Sequence, residues 1–162
     1  MQYGGIMENR RLKWCFGLKD GMKVVEPNER LSKSYLEESK SSLLRAEKNF
    51  REDDLLWTTV VIYYSEYYAL YSFLQRIGIK CENHSCSIFA VTTLLGKDKT
   101  KTIESHKNKR IDAQYYMKVD KKDEIYKMLH EAKTFVSTFD EIISNLKQKE
   151  ISTYRKILNK YK

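Results

Sequence analysis

The chain has 162 residues and carries 30 Lys and Arg against 22 Asp and Glu, a net charge of +8. This length suits one domain with a real core, because two domains would each be small. One proline and six glycines leave nearly everything after Pro27 free of helix breakers, so the composition predicts an all-α fold. The positive charge favours anionic partners such as RNA, nucleotides or an acidic protein, although lysine-rich helical surfaces are also common without them.

The cysteines predict a reducing environment. Their odd number, three, and the lack of an apolar N-terminal stretch favour a cytoplasmic location without disulfides. Cys81, His84 and Cys86 cluster along the chain, and Cys15 offers a fourth zinc ligand, but C-x4-C with one interposed histidine is not a familiar finger spacing. Small buried thiols are the preferred interpretation, so neither a metal nor another cofactor is expected.

The N-terminal extension, residues 1–28, differs from the rest of the chain. Two short apolar runs flank a turn signal at Asp20-Gly21, which predicts a hairpin or a strap. Pro27 then marks a boundary, because proline disfavours helix before it. The first bundle helix should begin near residues 29–34, capped by Asn28 or by a capping box that starts at Ser34.

Residues 55–75 carry one charge, Glu66, between the pairs Tyr63-Tyr64 and Tyr67-Tyr68. On a helix these tyrosines form two adjacent aromatic stripes, so the helix must be covered on more than one side. A membrane span is disfavoured, because a carboxylate at mid-span costs about 2.5 to 3.5 kcal/mol and tyrosine prefers the interface. The stretch predicts the central helix of a bundle, ending at Gly78. It also predicts a homodimer, because a bundle of this size has few other helices to cover it.

Glu66 needs a partner in such a helix. The alternatives are the tyrosine hydroxyls, a base such as Arg110, or a water-filled groove. A role in stability is preferred to a functional one.

A shorter helix is predicted from His84 to Leu95, with Asn83 as its N-cap and Gly96 at its end. Residues 97–110 then carry six Lys and Arg against two acids, six minus two or +4, and predict a solvated loop. The simple interpretation of this loop is solubility. The functional one is an edge that contacts phosphate groups.

From Lys122 to Leu146 the apolar residues alternate steps of three and four, which predicts a long helix. The phase breaks after Leu146, so the basic tail, residues 147–162, is either a separate turn of helix or a continuation that faces another surface. Such a tail can bind nucleic acid or a partner, although frayed, solvated termini are more usual.

Several patterns then match a known family in order and spacing. They are the segment from Tyr63 to Ile79 with its Tyr67-Tyr68-Ala69 triplet, the histidine at 84, and Arg110-Ile111-Asp112-Ala113-Gln114-Tyr115. Over residues 29–146 the chain resembles the HEPN superfamily, in particular its stand-alone prokaryotic branch. The resemblance implies a four- or five-helix bundle, commonly a homodimer. It also implies an RNase or a partner of a nucleotidyltransferase in toxin–antitoxin pairs.

The RNase members of this superfamily carry Arg-x4-6-His near the start of the last long helix. Arg110 matches the arginine, but Tyr115, Tyr116 and Met117 stand where the histidine is required. A phenol of pKa about 10 exchanges protons poorly near neutral pH. The resemblance therefore favours a non-catalytic module that binds a nucleotide, an RNA or a nucleotidyltransferase-type partner.

Two alternatives stay open. In the first, His84 or His106 substitutes in space for the missing histidine and works with Arg110 as a metal-independent RNase. In the second, the protein has a structural or assembly role. The residues expected to bind a ligand are Arg110, Lys107, Lys109, Tyr115, Glu66, Tyr67, Tyr68 and His84. Exposed tyrosines would stack on bases, whereas core packing is preferred for the stripe as a whole.

Overall fold

A computed structural model describes residues 2–162, with side chains from residue 7 onward. The described residues form seven α-helices, two short strands and one 3-10 turn. They are α1 Gln2–Gly17, β1 Met22–Val24, α2 Glu29–Arg51, α3 Leu55–Ile77, β2 Ile79–Cys81, α4 His84–Leu95, the 3-10 turn Lys97–Lys99, α5 Lys101–Tyr116, α6 Lys122–Asn145 and α7 Gln148–Asn159. The prediction of an all-α helical bundle is confirmed, and five of the helices, α2 to α6, lie within residues 29–146.

Helix α3 is the centre of the bundle. Helices α2, α4, α5, α6 and α7 all pack against it. Tyr63, Tyr67 and Tyr71 are buried, and Tyr64 and Tyr68 are half-buried. The apolar surface that motivated the prediction of a homodimer is thus covered within one chain, and the dimer itself stays a prediction.

The ends of α3 follow from single residues. Asp54 caps its N-terminus by accepting a hydrogen bond from the backbone N–H of Trp57 at 3.2 Å. Gly78 ends it in the left-handed region, at φ +77°. A Cβ atom at Gly78 would lie 2.4 Å from the carbonyl oxygen of Val25, so the position requires glycine for space as well as for conformation.

The predicted bounds of the neighbouring helices are also found. Asn28 caps α2 and accepts from the N–H of Leu31 at 2.9 Å, while Asn83 caps α4 and accepts from the N–H of Cys86 at 3.0 Å. Extended backbone at Leu146 separates α6 from α7, so the tail is a separate helix and not a continuation of α6.

Helix α7 is packed against the bundle. Ile151 and Leu158 are fully buried. Arg155 donates through Nη1 to the carbonyl oxygens of Val25 at 2.7 Å and Ile77 at 2.9 Å, so the tail helps to close the end of α3.

The prediction of a solvated loop over residues 97–110 is wrong, because α5 occupies most of this segment. Ile103, His106, Arg110 and Ala113 recur at helical spacing and are buried. Two of these four are polar, and lysines surround them on the outer side, so the segment has the composition of a solvated loop. Its inward face is held by charge pairing and aromatic contacts as well as by apolar side chains.

Of the two alternatives for the N-terminal extension, a hairpin or a strap, the hairpin is wrong. Residues 2–17 form α1, and β1 pairs antiparallel with β2, with Met22 opposite Cys81. The Asp20-Gly21 turn leads from a helix into a strand whose partner comes much later in the chain.

The prediction of no disulfides is wrong as well. Helix α1 packs on α4, and Cys15 is bonded to Cys86, with 5.7 Å between their Cα atoms. The two cysteines are separated by 71 residues, so their spacing gave no sign of the pairing. Cys81 is a buried free thiol. No helix among residues 2–162 combines the length and the apolar character needed to cross a membrane.

Candidate functional site

The first candidate site lies where α3, α4 and α5 meet. We call it the His84 cluster, and its members are Tyr63, Tyr64, Tyr67, His84, Ser85, Lys107 and Arg110. Helix α4 begins at His84, directly after its Asn83 cap. The cap therefore fixes the backbone from which the imidazole projects toward the tyrosines of α3.

His84 is held by aromatic side chains. Its Nδ1 shares a hydrogen bond with the Tyr63 hydroxyl at 2.9 Å. Its ring stacks on Tyr67 with 3.8 Å between centroids, and Tyr64 approaches edge-on at 6.2 Å. The imidazole is half-buried, so one side of it remains accessible.

Arg110 reaches the same tyrosines from α5. Its Cζ lies 4.9 Å from the ring centroid of Tyr63 and 5.9 Å from that of Tyr64. Nη1 donates to the amide oxygen of Gln114 at 3.2 Å. The side chain is 9% exposed, and its buried Nε has no hydrogen-bond partner. Buried donors are almost always satisfied, so this Nε is an exception. Because Nε is buried, a ligand would reach Arg110 through the rest of its guanidinium.

Lys107 lies one turn before Arg110 and donates to the Ser85 hydroxyl. Among the described residues, neither Lys107 nor Arg110 forms a salt bridge. Two cations without a carboxylate partner therefore converge on one histidine.

This arrangement decides the charge of the imidazole. Burial first, then Arg110 and then Lys107 lower the pKa of His84 to about 4. Burial also lowers the pKa of Lys107, with Arg110 and Arg11 adding to the effect. His84 is therefore neutral at neutral pH, and the local field favours an anion.

A second cluster lies on the α6 side of α5. We call it the Glu66 cluster, and its members are Glu66, His106, Lys127 and Glu131. His106 Nδ1 is 2.7 Å from Glu66 Oε1, and its Nε2 is 2.9 Å from Glu131 Oε2. Lys127 Nζ lies 3.8 Å from Glu131 Oε1. Both imidazole nitrogens face carboxylates, and when both carboxylates are ionised His106 donates from both nitrogens.

The carboxylates dominate the chemistry of this second cluster. Burial acts to lower the pKa of His106, but Glu66 and then Glu131 raise it above its ordinary value. Burial raises the pKa of Glu66, which is fully buried and leaves Oε2 without a partner. The partner of Glu66 is thus His106, not a tyrosine hydroxyl, Arg110 or a groove, and a bound molecule has no direct access to Glu66.

The structure brings together four of the eight predicted ligand-binding residues. Arg110, Lys107, His84 and Tyr67 belong to the His84 cluster, whereas Glu66 is in the other cluster. The remaining three lie apart. Lys109 pairs with Asp120 at 2.6 Å, Tyr68 stacks on Tyr35 with 6.0 Å between centroids, and Tyr115 is 66% exposed at the last turn of α5.

The sequence did not identify Tyr63 as the residue that contacts both His84 and Arg110, nor the roles of Ser85 and Gln114. No group of three or more His, Cys, Asp or Glu side chains in residues 2–162 is placed to hold a metal ion. Two of the four zinc ligands considered, Cys15 and Cys86, are bonded to each other.

Comparison of the chain with protein-family models, with curated proteins and with solved structures gives no match. The resemblance to the HEPN superfamily therefore stays a prediction from sequence patterns.

Proposed function

We propose that the protein is a non-catalytic HEPN-like module that binds a phosphate group of a nucleotide or an RNA at the His84 cluster. The observation that carries the proposal is Arg110, a nearly buried guanidinium that lies against Tyr63 and Tyr64 and forms no salt bridge among the described residues. Arginine binds phosphate through parallel hydrogen bonds, and such charge-assisted bonds are about twice as strong as neutral ones.

The surroundings of Arg110 support an anionic ligand. Lys107 adds a second positive charge, and the Ser85 hydroxyl offers another polar contact at the start of α4. Tyr64 is half-buried beside Arg110 and offers a ring on which a base would stack. A bound phosphate would offset the repulsion between the cations.

The state of His84 supports binding without catalysis. With its pKa near 4, the imidazole is neutral at neutral pH and lacks the second proton that a general acid gives to a leaving group. It is also a weak base, because efficient proton transfer calls for a pKa near the working pH.

The test compares Arg110→Ala with Lys109→Ala. Both variants remove one positive charge from α5, but Lys109 is already paired with Asp120 at 2.6 Å. Arg110→Ala should weaken binding of AMP and of single-stranded RNA by about ten- to hundredfold, the effect of losing about 1.5 to 3 kcal/mol of charged hydrogen bonding. Calorimetry for AMP and fluorescence anisotropy for RNA measure the two affinities.

Arg110→Lys serves as the folding control, because it keeps the charge and loses the planar fork. We expect an intermediate affinity and an unchanged circular dichroism spectrum. Equal affinities for wild type, Arg110→Ala and Lys109→Ala would contradict the proposal, as would a lack of any binding at low salt.

A metal-independent RNase is the second candidate function. Its support is that Arg110 and His84, the pair named for this alternative, contact the same tyrosine, Tyr63. Cleavage of RNA in the presence of EDTA that is abolished by His84→Ala would establish this function. The proposed binding module instead leaves the RNA intact.

The proposal keeps the partners expected from the resemblance, a second copy of the chain and a nucleotidyltransferase in a toxin–antitoxin or related system. Tyr115, Tyr116 and Met117 support a partner surface, because all three are more than half exposed at the end of α5. Light scattering checks the homodimer. A stable 19.3 kDa monomer at micromolar concentration would rule it out.

A further inference from the structure

A cavity of about 230 Å³ lies between α1, α4 and α5. Its walls are Arg11, Ser85, Ile88, Glu104, Lys107 and Asn108. Ser85 and Lys107 belong to the His84 cluster as well, so the cavity adjoins the proposed phosphate site and shares one of its cations.

The cavity has more positive than negative charge. Arg11 lies over the ring of Phe89, with its Cζ 4.2 Å from the centroid, and faces the same space as Lys107. Glu104 is the one acid in the wall. Arg11 forms no salt bridge within the part of the chain whose side chains are described, and its charge acts on Lys107 without a paired carboxylate.

The size of the cavity indicates what it would hold. Sites that enclose a whole small ligand measure about 300 to 1,000 Å³. A space of about 230 Å³ suits one group of a ligand that continues outside it. A phosphodiester fits the charge, and the neighbouring His84 cluster is the place where such a ligand would continue.

The helix that carries Arg11 is covalently linked to α4. Cys15, one turn further along α1, is bonded to Cys86 of α4, the residue after Ser85. The disulfide thus ties the helix that carries Arg11 to the helix that carries Ser85. A cation held in place before the ligand arrives loses less conformational freedom on binding.

We propose that this cavity is a second phosphate subsite, filled by the phosphodiester next to one held at the His84 cluster, so that the ligand is an RNA strand and not a mononucleotide. The inference rests on the proposed function and names the ligand class of the same site. It also gives α1, which lies outside the segment that resembles the HEPN superfamily, a direct part in binding.

The experiment compares Arg11→Gln with Arg10→Gln, because Arg10 is an exposed neighbour on α1 that does not line the cavity. The probes are 5′-phosphorylated hexa-adenylate RNA and AMP. Arg11→Gln should weaken binding of the RNA by up to about tenfold and leave AMP binding unchanged. Because one phosphate contact is lost, the slope of log K against log salt for the RNA should become shallower by about 0.7. Arg11→Lys should keep most of the RNA affinity and of the salt dependence, since it keeps the charge.

The outcomes separate this inference from the function on which it rests. If Arg110→Ala weakens both probes while Arg11→Gln matches Arg10→Gln, the subsite is refuted and the phosphate site stands. If Arg11→Gln weakens AMP and the RNA equally, Arg11 belongs to a single site and the inference also fails. If Arg110→Ala changes neither probe, the proposed function fails first.

Discussion

Two histidines contact neighbouring turns of α3, and their pKa values are shifted in opposite directions. His84 shares a hydrogen bond with Tyr63, and His106 is bonded to Glu66, three residues further along the same helix. His106 and Arg110 are four residues apart on α5. This one helix therefore supplies both the imidazole that contacts Glu66 and the guanidinium that lies over Tyr63.

The difference between the two histidines comes from the charged groups beside them, because burial acts in the same direction on both. Burial acts to lower the pKa of both. At His84 the nearby cations Arg110 and Lys107 add to that effect, and the imidazole is neutral. At His106 two carboxylates outweigh it and raise the pKa above its ordinary value. The first arrangement leaves cations free for a ligand, whereas the second satisfies its charges internally.

Removing His106 should have the largest effect, and that effect is on stability. His106→Ala leaves Glu66 fully buried without its one hydrogen-bond partner among the described residues. Breaking a buried pair in this way costs about 3 to 5 kcal/mol of unfolding free energy. Urea denaturation followed by circular dichroism measures the loss. His130→Ala, at an exposed histidine on α6, is the control and should change stability by less than about 0.5 kcal/mol. A loss below about 1 kcal/mol in His106→Ala would refute a stabilising role for the pair.

The pH dependence of stability tests the raised pKa of His106 directly. The folded-state pKa of His106 is raised above the ordinary 6.5, so the folded protein binds more protons than the unfolded chain between these values. The contribution of His106 to the free energy of unfolding is complete below pH 6.5 and is lost as pH rises through the raised pKa. The raised pKa of Glu66 likewise makes stability fall as pH rises above 4.5, and the two groups titrate together.

The measurement is the free energy of unfolding of wild type and of His106→Gln at a series of pH values. The difference between them should shrink as pH rises above 6.5, with a slope of at most about 1.4 kcal/mol per pH unit. A difference that stays constant across this range would show that His106 is not charged in the folded state.

Much of the fold could be predicted because local signals and packing agree. Asn28, Asn83 and Gly78 marked the ends of helices by capping and by left-handed backbone, and these effects act within a few residues. Helix α5 could not be recognised in the same way. Its buried face contains His106 and Arg110, whose burial depends on Glu66 and on Tyr63, and no local pattern announces those partners.

The candidate site was predicted in part for the same reason. Arg110 and His84 were identified from family patterns, but their meeting at Tyr63 is a tertiary contact between three helices. The Cys15–Cys86 bond and the contribution of Arg11 depend on α1 docking against α4. Such contacts join residues far apart in the chain, so the spacing of residue types does not reveal them.

The smallest expected effect tests whether Arg110 controls the state of His84. The pKa of His84 is lowered to about 4 by burial first, then by Arg110 and then by Lys107. Arg110→Gln should therefore raise it only part of the way toward 6.5, and Lys107→Gln should raise it less. The chemical shifts of the His84 ring in an NMR pH titration report each value.

Added inorganic phosphate should move the same resonance in wild type. A bound anion offsets the two cations and so favours the charged imidazole, which raises the pKa of His84. In Arg110→Gln phosphate should bind less and the rise should be smaller. His130 is exposed and lies on α6, so its titration serves as the internal control. If phosphate shifts His84 and His130 equally, the effect is one of ionic strength, and the His84 cluster does not bind the anion.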